Sequence, residues 1–162
     1  MQWKTDLIGF DALNSYGSPA YYVQKMFSNY HGDVVLPVSA EGIATRTWQP
    51  PARRGETSAP PPQEVPVLFY GATRDGKSGT VYLKVVNRAA SAQSVRVEIA
   101  GMKSMKPKGQ AITLAANGPN DTNSISEPTK IVPVISTVDG LGTSFTRSFP
   151  AYSVTVLVLN SR

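Results

Sequence analysis

Eleven carboxylates are the residues of this 162-residue sequence best suited to acid–base chemistry: Asp6, Asp11, Asp33, Glu41, Glu56, Glu64, Asp75, Glu98, Asp121, Glu127 and Asp139. A working pair, such as the two that cleave a glycosidic bond, must be held about 5 Å apart for a retaining reaction and wider for an inverting one. Nearly all of these acids fall instead among Gly, Pro, Asn and Ser, in segments that read as turns or loops. Glu98 alone lies within a strand pattern, on its polar side, where a solvated surface acid is expected. No catalytic residue is assigned.

The other reactive types are scarce. There is one histidine, His31, and no cysteine, which excludes a disulfide framework, a thiolate nucleophile and Cys-ligated zinc. A single His without a neighbouring carboxylate motif makes neither a triad nor a metal site, so neither metal nor cofactor is expected. His31 follows a helix, where a cationic ring favours the negative end. Gly140-Leu141-Gly142 lacks the strand-to-helix context of a phosphate-binding loop and reads as a turn.

Aromatic rings remain, because an exposed ring can cover the apolar face of a sugar as it covers other apolar surfaces. The candidates are Trp3, Trp48, Tyr70 and Tyr82. Trp48, in a Pro-rich loop, and Tyr82, on an outward strand face, are the candidate sugar-contacting aromatics; the reading favoured over this one is that such rings pack under a loop or against a neighbouring domain.

The net charge of +5 comes from scattered Lys and Arg, clustered only at Arg53-Arg54 and at Lys103, Lys106 and Lys108. A nucleic-acid surface would show a basic stripe with interleaved aromatics, so no nucleic-acid partner is expected. The longest apolar stretch, Val154 to Leu159, is strand-length and well short of the roughly 20 residues that cross a bilayer; no membrane partner is expected. Met1 to Asp6 lacks the charged start and apolar centre of a signal peptide, and a secreted or periplasmic parent would have had its signal removed.

Spacing supplies the elements. Ser18-Pro19 is a helix start, Ser capping free N–H groups and Pro arriving with its φ set. Tyr22, Val23, Met26, Phe27 and Tyr30 then recur every three or four residues, which predicts an amphipathic helix over about Pro19 to Asn29, with Gly32 as a left-handed cap. After Gly32 the period becomes two. Strands are expected at Val34–Ser39, Val65–Thr73, Thr80–Asn87, Ser94–Ile99, Gln110–Leu114, Ile131–Val138, Ser144–Phe149 and Ser153–Leu159, with a hairpin turn at Asp75-Gly76-Lys77-Ser78-Gly79. Tyr82 and Lys84 are expected to face solvent, as are Arg96 and Glu98. Val154, Val156 and Val158 on one side of the last strand and Leu157 and Leu159 on the other imply burial on both faces, with the helix as one cover.

These elements predict a mainly β fold: an antiparallel, jelly-roll-like β-sandwich of about eight strands with one N-terminal α-helix. The Pro-rich stretch at residues 41–64 reads as a long exposed loop, with Pro60-Pro61-Pro62 a stiff spacer.

Six segments carry a family likeness. Trp3-Lys4-Thr5-Asp6-Leu7-Ile8-Gly9-Phe10-Asp11, with Tyr16 to Ser28 and Gly32-Asp33, resembles the segment that closes the catalytic barrel of glycoside hydrolase family 51 α-L-arabinofuranosidases. Val81 to Arg88, Glu127 to Val134 and Phe149 to Leu157 resemble the C-terminal domain of the same family. The resemblance implies a (β/α)8 barrel joined to a β-sandwich, and retaining removal of terminal α-L-arabinofuranosyl units from arabinan or arabinoxylan. It places both catalytic glutamates upstream of Trp3, so neither maps onto this chain. It also implies that residues 1–32 are the end of the barrel, including its last helix, and that 33–162 are the sandwich. The expected partner is the chain's own missing barrel. A carbohydrate-binding module for arabinose-containing polysaccharide is the alternative.

Overall fold

A computed structural model describes residues 7–52, 54–55 and 57–162. Its first two strands, β1 (Ile8–Phe10) and β2 (Ser15–Gly17), form a small antiparallel hairpin. Helix α1 (Pro19–Asn29) follows, with the expected boundaries. The Ser18 hydroxyl accepts the Tyr21 N–H at 3.2 Å, and Pro19 occupies the first turn, where its missing N–H costs nothing.

The helix does not end on a left-handed Gly32. Tyr30 closes it, its N–H donating to the Met26 carbonyl at 3.0 Å. Gly32 is needed for a different reason: a Cβ there would fall inside the backbone at Arg74, and the Gly32 N–H donates to Thr73 Oγ1 at 2.9 Å. The glycine lets the chain leave the helix in close contact with the sheet.

Beyond it run β3 (Val34–Leu36), β4 (Thr45–Trp48), β5 (Gln63–Pro66), β6 (Leu68–Arg74), β7 (Val81–Asn87), β8 (Gln93–Glu98), β9 (Gly109–Ala115), β10 (Val134–Val138), β11 (Ser144–Phe149) and β12 (Ser153–Leu159). Six of these make one antiparallel sheet in the order β10-β9-β12-β7-β6-β3, while β8 pairs with β11 and β4 with β5 as separate ribbons. Each of the eight expected strands has a counterpart, the second being divided at Val67 into β5 and β6. The hairpin turn between β6 and β7 is as expected. Gly79 has φ +71°, and Asp75 Oδ1 accepts the N–H groups of Ser78 and Lys77 at 2.7 and 3.0 Å. The stretch expected to be loop at 41–64 contains β4, which pairs with β5 from Thr45↔Pro66 to Trp48↔Gln63.

The sheet has two apolar faces. On one, Val81, Leu83, Val85, Ala111, Leu157 and Leu159 pack with Phe145 and Phe149 of the β8–β11 ribbon, which makes the second layer of the sandwich. On the other, Ile112, Leu114 and Val156 pack with Met26, Tyr22, Val23 and Phe27 of α1. Strand β12 therefore lies between two cores, and Val156 and Leu157, pointing opposite ways, are each 0% exposed.

Two buried asparagines tie the loops to this frame. Asn87 donates to the carbonyls of Phe149 and Pro150 at 3.1 and 2.7 Å and accepts the Ala89 N–H at 2.9 Å, fixing the β11–β12 connection. Asn123 accepts the Ile131 N–H at 2.7 Å and donates to the carbonyls of Ile131 and Gly17 at 2.9 and 2.8 Å. Leaving such buried groups unpaired costs about 1–3 kcal/mol each, so Asn123 fastens the N-terminal hairpin to the β9–β10 loop.

Helix α1 is thus part of the sandwich core. Met26→Ala should lower stability by about 2–5 kcal/mol, as for other buried Met-to-Ala truncations. Gln24→Ala, on the exposed side of the same helix, should change it by less than about 0.5 kcal/mol. Urea unfolding of the two variants checks this.

Candidate functional site

The acids are held as surface carboxylates. Asp11, Glu64 and Asp75 each titrate below the usual carboxylate range. The causes are donors to the ionised form: the Leu13 and Asn14 N–H groups at Asp11, the Thr47 and Thr45 hydroxyls at Glu64, and the Ser78 N–H and hydroxyl at Asp75. A general acid at neutral pH needs the opposite, an environment that raises the pKa. Glu98 is where its strand pattern put it, 69% exposed and paired with Arg96 at 3.0 Å across the solvent face of β8. Asp6 and Glu56 lie outside the described residues. Among the described residues no group of three or more His, Asp or Glu side chains is close enough to hold a metal ion, and His31 stands exposed beyond α1.

The candidate aromatics are not brought together as one platform. Trp3 lies outside the described residues. Trp48 ends β4 on the narrow β4–β5 ribbon and is 38% exposed; next to it, Gln49 Nε2 donates to the Pro60 carbonyl at 2.6 Å and folds the Pro-rich stretch back on the ribbon. Tyr70, on β6, is exposed at the mouth of a cleft of about 570 Å³ between the central sheet and β8. Leu68, Leu83, Val85 and Phe149 floor that cleft, and Glu41, Arg96 and Glu98 stand on its lining.

Tyr82 is on the other face. Its strand alternates as expected, but the side that was to meet water is covered: Tyr82 is half-buried in the cluster formed with α1. Lys84, two residues on, lays its Nζ 4.7 Å from the Phe27 ring centroid and donates to the Phe27 carbonyl at 3.3 Å. It satisfies one of the carbonyls left free at the helix C-terminus. Burial pushes the Lys84 ammonium below its usual pKa. A period of two cannot distinguish this arrangement from a wet face, because Tyr and Lys carry long apolar bodies with polar tips.

A second cleft, of about 400 Å³, opens beside the first turn of α1, where Arg46 of β4 and Arg88 just after β7 meet the sheet. Sequence reasoning missed it. The two arginines are 42 positions apart, and only the pairing of β4 with β5 and of β6 with β7 brings them to one place.

The sequence profile described as "Alpha-L-arabinofuranosidase C-terminal domain" matches residues 2–153. Alpha-L-arabinofuranosidase A of Aspergillus kawachii is 30% identical over 161 residues, covering 98% of this chain and 21% of the relative. Alpha-L-arabinofuranosidase 1 of Arabidopsis thaliana is 26% identical over 157 residues, 94% of this chain and 20% of the relative. The chain thus spans about a fifth of the length of these curated relatives. Among solved structures, the arabinose-bound MgGH51 α-L-arabinofuranosidase superposes with a TM-score of 0.76 at 28% identity, over 99% of this chain and 22% of that one. The arabinose complex of the α-L-arabinofuranosidase from Thermotoga maritima gives 0.80 at 20% identity, over 94% and 31%, a likeness of fold.

The two aromatics singled out from sequence should respond differently to truncation. Tyr82→Ala should cost about 1–3 kcal/mol, the loss of a half-buried ring from a packed cluster, whereas Trp48→Ala should stay within about 0.5 kcal/mol. Thermal or urea unfolding of each variant separates them.

Proposed function

The chain belongs to the α-L-arabinofuranosidase C-terminal domain family, and on that premise we propose that it is the non-catalytic, supporting domain of a longer hydrolase. That hydrolase removes terminal α-L-arabinofuranosyl units from arabinan or arabinoxylan with retention, using two glutamates of a barrel upstream of Trp3. The observation that carries the reading is the family match over residues 2–153, in a chain that aligns with only about a fifth of each curated relative.

The partner in this reading is the barrel of the same polypeptide, with residues 1–32 as its closing segment and 33–162 as the sandwich. Leu7, Ile8, Phe10 and Leu13 of the N-terminal hairpin are exposed, Leu13 at 93%. Clustered exposed apolar side chains of this kind mark surfaces that meet another domain. With α1 sharing a core with the sheet, such a contact would reach the sandwich through the helix.

A purified sample of the chain should release no aryl group from an aryl α-L-arabinofuranoside above the buffer rate. Turnover proportional to the concentration of this chain would overturn the reading.

Exposure of Trp48 on its ribbon favours one second reading, a carbohydrate-binding module in which this ring, rather than the helix-covered Tyr82, stacks on arabinose-containing polysaccharide. Affinity electrophoresis through arabinan and arabinoxylan gels checks it. Retarded migration that Trp48→Ala abolishes supports the module, and unretarded wild-type migration removes it.

A further inference from the structure

We propose that the cleft beside the first turn of α1 binds an acidic sugar, a ring carrying a carboxylate, through Arg46 and Arg88. Its floor is apolar and continuous: Val86, Val154 and Leu114 are cross-strand neighbours on β7, β12 and β9, and Val23 of α1 closes one side. The volume of about 400 Å³ lies within the range of small-molecule sites.

Among the described residues neither guanidinium has a carboxylate within 4.0 Å; the ion pairs there are Arg96–Glu98, Lys108–Asp139 and Lys130–Asp121. Asp121 lines the same cleft, but its carboxylate is already engaged by Lys130 at 3.6 Å and by the Asn117 N–H at 3.0 Å. Arg88 packs against the Phe69 ring, whose centroid is 5.6 Å from its guanidinium carbon, a contact that does not consume its N–H donors. Two arginines on the lining of a cleft with an apolar floor match a ligand with a carboxylate on one edge and a ring face free of charge, since bidentate guanidinium–carboxylate pairing supplies both energy and orientation.

The choice of a sugar acid over other organic carboxylates rests on the reading of the chain as a domain of a carbohydrate-active enzyme. The binding itself does not, because it is measured on this chain without hydrolysis. The test is NMR or calorimetric titration of the 162-residue chain with glucuronate, glucose, acetate and N-acetylglutamate. Glucuronate should bind with glucose and acetate about tenfold weaker, the scale of a charged hydrogen bond to a matched partner. Arg46→Gln and Arg88→Gln should each weaken glucuronate by about tenfold while the native fold is retained by circular dichroism, and Arg96→Gln leaves binding unaltered.

Acetate binding as tightly as glucuronate would overturn the proposal by reducing the site to an anion trap. N-acetylglutamate binding more tightly would overturn it in favour of a protein carboxylate as occupant. Indifference to both substitutions, or no glucuronate binding at about 20 mM, weaker than any millimolar complex, would also overturn it. None of these outcomes bears on whether a longer protein hydrolyses arabinofuranosides.

Discussion

Burial of both faces of β12 sets the conditions for the rest of the molecule. Val156 and Leu157 point in opposite directions and neither meets water. Each side chain of this size contributes about 1.5–3 kcal/mol when fully buried. A strand apolar on both sides needs a cover on each, and the chain supplies two unlike ones, the β8–β11 ribbon and helix α1. The six-stranded sheet is wider than either cover. What remains open at the margins, the Tyr70 cleft on one face and the Arg46–Arg88 cleft on the other, is where a ligand or a neighbouring domain has room.

The same arrangement suits a supporting domain. Helix α1 is fastened by apolar packing, by the Lys84 bond to its C-terminal carbonyl, and by close passage of Gly32 over Arg74. The N-terminal hairpin is fastened through Asn123. A segment that the family resemblance assigns to the end of a barrel is thereby packed on and hydrogen-bonded to the sandwich, so a barrel built on it would be positioned by the second domain.

Much of this was legible in the sequence, and the failures have physical causes. Ser18-Pro19 and the three-and-four spacing from Tyr22 to Tyr30 placed the helix, because capping and amphipathicity are local. The double-sided pattern of β12 announced two covers. The loop containing β4 hid its strand because Thr45 to Trp48 has no buried face, every position being exposed, so no hydrophobic alternation marks it. Tyr82 and Lys84 read as wet because alternation reports which side is polar and not what lies over it. Gly32 reads as a helix cap from its position after Tyr30, whereas its role is the close approach to Arg74; a close approach between distant segments leaves no trace in local spacing. The same holds for Asn87 and Asn123, whose partners lie up to 106 positions away, and for the convergence of Arg46 and Arg88.

The central claim is that α1, which the resemblance assigns to the end of the barrel, forms one cooperative unit with the sandwich. Native-state hydrogen exchange across the whole chain tests it most directly, since it reports the free energy of opening segment by segment. The account predicts that amides in the middle of α1, around Val23 to Phe27, open with the same free energy as those of β12. Exchange of the helix through a local opening far less costly than that of β12 would contradict it.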